Sequence, residues 1–404
     1  MRRLFVRLPV LLALLLVSSA PGAGAQPADP NGLQFVADNA TTAATAADSA
    51  PLSPATLSGP DGSPTSKAVN LPAGFSIAQV ASGLRSPRFM TFDDAGNLLV
   101  ADAGAGNVYR YAASGGAVAA SDQPPAPLLS GLEAPSNVVL HNGYLYVGET
   151  RTISRYAYDP NAAPGSREAI VSDLPRGGHN TRTVVFDIDG SMLVAVGSSC
   201  NICDESDARR AAILRFAADG SGQQRLAYGL RNPVGLAIQP GSGLLWATVN
   251  ERDNQGNELP PDLVTVVREG QNFGWPGCQP PNATPQDAGR DCSGITPPTV
   301  GIQAHSAPLG LSFYTGQQFP GDYANDLFVV QHGSWNRQPP AEPKLLRLHL
   351  VDGQPISAQD FATGWQNTDG SRWGRPAGVT VAPDGSLIVS DDQAGSLYRI
   401  AFGG

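Results

Sequence analysis

The chain has 404 residues, with 26 Lys and Arg against 35 Asp and Glu and a formal charge of −9. That balance speaks against a nucleic-acid partner, which requires a basic face. After the first residues no apolar run is long enough to cross a bilayer as a helix, so no membrane span is expected.

Met1 to Ala25 reads as a secretory signal peptide: Arg2, Arg3 and Arg7 lead, an apolar run from Leu8 to Val17 follows, and Ala23-Gly24-Ala25 offers a small-residue cleavage site. No cysteine stands near the cut, so the mature protein is expected to be soluble and periplasmic or secreted. Its removal takes away three arginines and no acid, leaving a still more acidic chain. Residues 26–69 are dominated by Ala, Pro, Ser and Thr and are expected to form a disordered linker, because they cannot bury enough apolar surface to offset their ordering entropy. Residues 70–404 are expected to form one domain.

Within that domain a unit recurs six times, starting at Ser86, Ala134, Thr181, Asn232, Ala307 and Arg375. Each copy is a short segment, usually centred on proline, that leads into an apolar strand, a turn and a second apolar strand. The first three starts lie about 48 residues apart, which suits four strands per blade, and later copies carry insertions. Asp189-Gly190 and Asp384-Gly385 supply turn chemistry, and helical periodicity is absent. The reading is an all-β, six-bladed β-propeller. Phe75 to Ala81 has no partner in its own unit and is expected to join the last blade beside LYRIAF, closing the ring.

Four cysteines, Cys200, Cys203, Cys278 and Cys292, in an exported chain read as disulfides. Three pairings exist, of which the local one closes the shortest loops. A Cys-x-x-Cys pair is also a metal or redox motif, but no second copy supports zinc and no His follows Cys203 for haem.

The segments leading into the innermost strands of a propeller converge at one end of the axis. Here they carry Arg88, His179, Arg182, Arg231, Asn232, His305 and Arg375. His179 lies in GGHNTRT, where two glycines give the imidazole room, and a histidine near neutral pKa suits removal of a hydroxyl proton. A loop histidine that bonds a turn is the plainer reading. Arg231, in GLRNPVGL, can steady developing negative charge while Asn232 holds a polar group; pairing with an acid and capping a turn are the alternatives. VNERDNQGNELPPDLV, residues 249–264, can hold a hard cation through oxygen ligands or serve as a solvated acidic loop. HGSWNR, residues 332–337, offers Trp335 and Arg337 as a flat surface with a cation, suited to stacking on a sugar or an aromatic cofactor, or to packing between blades.

Together GHNTRTVVFDIDG, GLRNPVGLAI, WATVNERDNQGNELPPD, NFGWPG, HSAPLGLSFY, HGSWNR and GRPAGVTVAPDGSLIVSDD resemble the soluble quinoprotein sugar dehydrogenases, most closely the sorbosone or pyranose dehydrogenase-like branch, from about Leu71 to Phe402. The resemblance implies an enzyme that binds pyrroloquinoline quinone (PQQ) and Ca2+ at the axial face and oxidises an aldose or related sugar to the lactone or acid. Electrons then pass to an external acceptor such as a cytochrome or quinone. It places the general base on His179, the groups beside the reacting carbonyls on Arg231 and Asn232, and a quinone carboxylate partner on Arg375. Backbone carbonyls of Glu251 and Arg252 take the calcium position. Four positions depart from the family: Gly-Asp is Gly197-Ser198, the Gly-Pro of the calcium loop is replaced, a second arginine aligns with Ala377, and a quinone-binding lysine aligns with Gly333. His305, Trp335 and Arg337 are the cofactor-side residues expected to compensate.

Two other functions compete. A calcium-dependent lactonase-type hydrolase also uses a six-bladed propeller, but needs carboxylates and Asn on the axis. A non-catalytic binding propeller needs no chemistry at all.

Overall fold

The structure is a computed structural model that describes residues 34–35, 50–280, 284–286 and 289–403. The segment read as a signal peptide lies outside the described residues. Among them there is no α-helix, only a 3-10 turn at Gly321–Tyr323. Six sheets follow one another, antiparallel except where Leu52–Ser58 joins the last. Blade 1 comprises Pro87–Phe92, Leu98–Asp102, Asn107–Tyr111 and Pro127–Leu129. Blade 2 comprises Asn137–His141, Tyr144–Gly148, Ile153–Ala157 and Glu168–Val171. Blade 3 comprises Val184–Phe186, Met192–Val196, Ala212–Phe216 and Gln224–Tyr228. Blade 4 comprises Pro233–Ile238, Leu245–Val249, Asp262–Val267 and Val300–Ile302, with Gln34–Phe35 paired to its outer edge. Blade 5 comprises Pro308–Phe313, Leu327–Gln331, Lys344–Val351 and Gln354–Ala362.

Blade 6 is made from both ends of the domain. Pro376–Val381, Leu387–Asp391 and Ser396–Phe402 are joined by Phe75–Ala81, which pairs antiparallel with the last strand and sets Ile77 opposite Ile400. Ring closure is therefore as the sequence suggests, and the sheet keeps no bare edge there.

The expected linker is shorter than residues 26–69. Leu52–Ser58 and Pro64–Pro72 form a hairpin that extends blade 6. Asn70 and Thr363 exchange backbone hydrogen bonds at 2.7 and 3.1 Å, which ties the hairpin to blade 5. Composition hid it because its apolar residues are few. Each of them lands well: Leu57, Val69 and Leu71 are buried against Phe361, Trp365 and Phe75 in the seam between blades 5 and 6.

Local chemistry sets the turns. Asp-Gly-Ser occurs at Asp61, Asp189, Asp219, Asp369 and Asp384. Each time the serine N–H donates to the aspartate Oδ1 at 2.9 to 3.0 Å, and glycine takes a positive φ that an L side chain resists. Adjacent blades are stitched at the centre by hydroxyls. Thr248 Oγ1 accepts from Gly235 N at 2.8 Å and donates to Leu309 O of the next blade at 2.7 Å. Ser390 Oγ does the same between Gly378 N and Arg88 O, at 2.8 and 2.6 Å.

Candidate active site

Antiparallel pairing puts the start of every inner strand and the end of every second strand at one rim of the axis. The channel below, lined by residues such as Thr91, Asn137, Thr183 and Gly235, holds about 150 Å3. A ligand pocket needs roughly 300 Å3 or more, so the channel itself is too small to hold one.

His179 and Asn232 meet over a glycine. An added Cβ on Gly197 would overlap Asn232 Oδ1 and lie 2.5 Å from His179 Cβ, so only glycine lets the two approach. His179 N donates to Ser198 O at 3.0 Å, and its ring Nδ1 lies 2.9 Å from Ser198 O and 3.0 Å from Ser198 Oγ. The Ser198 hydroxyl donates to Cys200 O at 2.7 Å. Both serine oxygens therefore present lone pairs to the ring, Nδ1 carries the proton, and Nε2 keeps a free lone pair. Burial, and then the charge of Arg231, push His179 down from 6.5 to about 4, so the ring is neutral at pH 7. Arg182, expected at the face, is instead fully buried and wraps its own loop, donating to His179 O at 3.1 Å and Thr181 O at 2.7 Å.

Arg231 is 4% exposed and held on every side. Its Nη2 pairs with Asp253 Oδ2 at 2.6 Å, Nη1 donates to Glu251 O at 2.7 Å, and Nε donates to Asn201 O at 3.2 Å. The sequence marked the acidic loop but did not single out Asp253. The Glu251 carbonyl, one of the two expected to face calcium, accepts from the Arg231 guanidinium. The Arg252 side chain is fully buried and points elsewhere, to Cys278 O and Gln286 Oε1, both at 2.8 Å.

Across the axis Arg375 donates to His332 O and Gly333 O, both at 2.9 Å. His332 Nε2 lies 2.7 Å from Asp392 Oδ1, and Arg88 Nη1 pairs with Asp392 Oδ2 at 2.6 Å. Burial alone would raise Asp392, but the His332 hydrogen bond and the charges of His332 and Arg88 bring it down to about 2. Sequence reasoning passed over His332 and Asp392. The available signal was positional: each directly follows a second strand, the place Gly197 holds in blade 3.

The two departures on this side have steric causes. Gly333 has φ +83°, and an added Cβ would lie 2.8 Å from Ala341 O, so no lysine fits. Ala377 is fully buried with Phe89, Val234 and Leu309, below the face.

His305 and Arg337, expected on the cofactor side, also lace loops together. His305 Nε2 donates to Gly256 O at 2.7 Å. Arg337 pairs with Glu258 at 2.9 Å and donates to Asn257 O. Asn336 Nδ2 reaches Asp253 Oδ1 at 3.2 Å, fastening the 332–337 loop to the blade 4 loop. Trp335, in the middle of that lacing, is 72% exposed. The cysteines pair locally, Cys200 with Cys203 and Cys278 with Cys292.

Fold and face define a class: a closed six-bladed propeller whose axial end carries the neutral His179 together with Arg231, Arg375 and Arg88. Such a donor set fits a planar polycarboxylate, since arginine recognises carboxylates in fixed geometry. The chain belongs to the TrAA12-like family, which matches residues 69–280 and 264–402. It is 27% identical to a pyrroloquinoline quinone-dependent pyranose dehydrogenase of Coprinopsis cinerea over 82% of this chain and 54% of that protein, so it spans about half that relative's length. The holo form of the PQQ domain of the Coprinopsis cinerea pyranose dehydrogenase superposes with TM-score 0.72 at 23% identity, covering 83% of this chain and 98% of that one. A calcium structure of the Trichoderma reesei AA12 enzyme superposes with TM-score 0.71 at 21% identity, covering 82% and 96%. The family resemblance read from the sequence agrees with these matches.

Proposed function

We propose that this protein is a quinoprotein oxidoreductase that oxidises a hydroxyl of an aldose or related sugar, with His179 as general base. The observation that carries the reading is the fixed Nδ1–H tautomer of a neutral His179 beside Arg231 and Asn232. A base must be unprotonated and aimed, and this imidazole is both. Nε2 takes the hydroxyl proton as the carbonyl forms; for an anomeric hydroxyl the product is the lactone. Arg231, held by Asp253, places fixed positive charge beside the reacting carbon, where electrostatic preorganisation counts most. Arg375 and Arg88 complete a cationic rim for a cofactor with carboxylates. Pyrroloquinoline quinone, named for the Coprinopsis relative, supplies the hydride acceptor when bound.

The test is dye reduction by purified protein across an aldose panel, with quinone and Ca2+ added separately and together. Activity is expected only with quinone present, and His179→Ala is expected to lower kcat by about 10²- to 10⁴-fold, the usual range for removing a general base. Saturable quinone binding without oxidation of any sugar would reject the reading. Lactone hydrolysis without quinone would favour the hydrolase instead.

A further inference from the structure

The loop closed by Cys200–Cys203 touches the proposed base and two of the charged groups beside it, Arg231 and Asp253. Its first residue, Ser198, faces His179 Nδ1 with both its carbonyl and its hydroxyl, at 2.9 and 3.0 Å. That hydroxyl is oriented by Cys200 O at 2.7 Å. Inside the disulfide ring, Asn201 O accepts from Arg231 Nε at 3.2 Å and from Trp275 Nε1 at 3.0 Å. The Asn201 side chain bonds the Asp253 backbone in both directions, accepting from N at 2.7 Å and donating to O at 2.9 Å. Asp253 in turn holds Arg231 at 2.6 Å. Ser199, next to the bridge, is pinned by Glu205, which accepts from its N and Oγ at 2.5 and 2.8 Å.

We propose that this disulfide-closed loop, Ser198 to Cys203, is the positioning element of the site, aligning His179 through Ser198 and Arg231 through Asn201. The inference rests on the functional reading above only for what the alignment is used for. The geometry explains why a serine suffices where the family carries an acid. An aspartate fixes a ring by charge, whereas here two neutral oxygens fix it, and the hydroxyl is held in turn by a carbonyl of the Cys200–Cys203 ring. A four-residue disulfide ring has few conformations, so the Cys200 and Asn201 carbonyls cannot turn away independently. Opening the bridge frees those peptides, and the cost falls on turnover rather than on binding, because Arg88 and Arg375 hang from other blades.

The protein has five histidines, so its imidazole nitrogens can be resolved by 15N spectroscopy on the full chain. In the oxidised protein His179 is expected to show one tautomer, protonated at Nδ1. In a Cys200→Ser/Cys203→Ser variant the signal is expected to broaden or average between tautomers, with kcat falling about tenfold, quinone affinity and KM held within about twofold, and the acid limb of the pH profile displaced. If that variant does not fold, mild reduction of the wild-type protein, with opening of the Cys200–Cys203 bridge followed by mass mapping, gives the same comparison. A wild-type His179 signal together with wild-type kcat in the opened protein overturns the proposal. If instead the His179 signal changes while neither form oxidises a sugar, the positioning stands and the functional reading fails.

Discussion

Gly197 shows how little space separates the groups of this site. Its Cβ-less backbone lets His179 and Asn232 pack against each other, and its φ lies outside the left-handed region, so alanine would meet a steric obstacle without backbone strain. Gly197→Ala is therefore expected to reduce kcat by about a hundredfold, as sub-ångström misplacement of reacting groups does. Thermal unfolding should change much less, which differential scanning calorimetry beside the activity assay would show. The His179 environment sets a second expectation. Because burial and Arg231 depress the ring to about 4, turnover should rise through about pH 4 and stay level to neutrality, whereas a solvent-exposed histidine would put that limb near 6.5. The sign for stability is the same: between those two values the unfolded chain binds a proton the native state refuses, so stability from this group is lost as pH falls from 6.5 to about 4. His179 stood out in the sequence because its two glycines are adjacent to it. Asp253 was not, since Arg231 and Asn336, which give it meaning, are 22 and 83 residues away.

At the scale of elements, the hairpin from Leu52 to Pro72 was the part the sequence concealed. Its strands are mostly small and polar, so neither alternation nor composition distinguishes them from linker, and their order comes from the seam they fill. Leu71 is 1% exposed within that seam. Leu71→Ala should cost about 2 to 5 kcal/mol, the range for deleting a buried leucine side chain, read as a lowered Tm with wild-type KM. The second strands tell the opposite story: their apolar runs could be read directly, but the residue just past each one was overlooked. His332 and Asp392 occupy that place, and a period-aware comparison of the six copies would have lined them up with Gly197. His305 and Arg337 were read as cofactor-side residues from the family resemblance; what the sequence did not reveal is that each also donates to a carbonyl of the 256–258 loop.

For the molecule as a whole, six repeats with matched turns made the propeller readable, since only a closed ring buries both faces of every blade. The stitches between blades could not be read, because a threonine on a second strand looks the same whether or not it reaches the neighbouring blade. Thr248→Val, nearly isosteric, leaves Gly235 N and Leu309 O without their partner. A loss of about 2 kcal/mol is expected from the two abandoned backbone groups, measured by urea denaturation with an unchanged m-value. Ring closure has a further consequence, which concerns the order of synthesis. Gln79 of the closing strand bonds Ser396 Oγ, 317 residues later. Phe75, which ends up edge-on to Phe319 and Phe361, must wait on the growing chain for blades 5 and 6 to exist. A strand made before any blade is complete is thus docked only when the ring closes, and an interrupted or C-terminally shortened chain presents an aromatic, unpaired edge to its neighbours. Expression yield should therefore be more sensitive to mutations in the final strand, Ser396–Phe402, than to equally buried ones in blade 3.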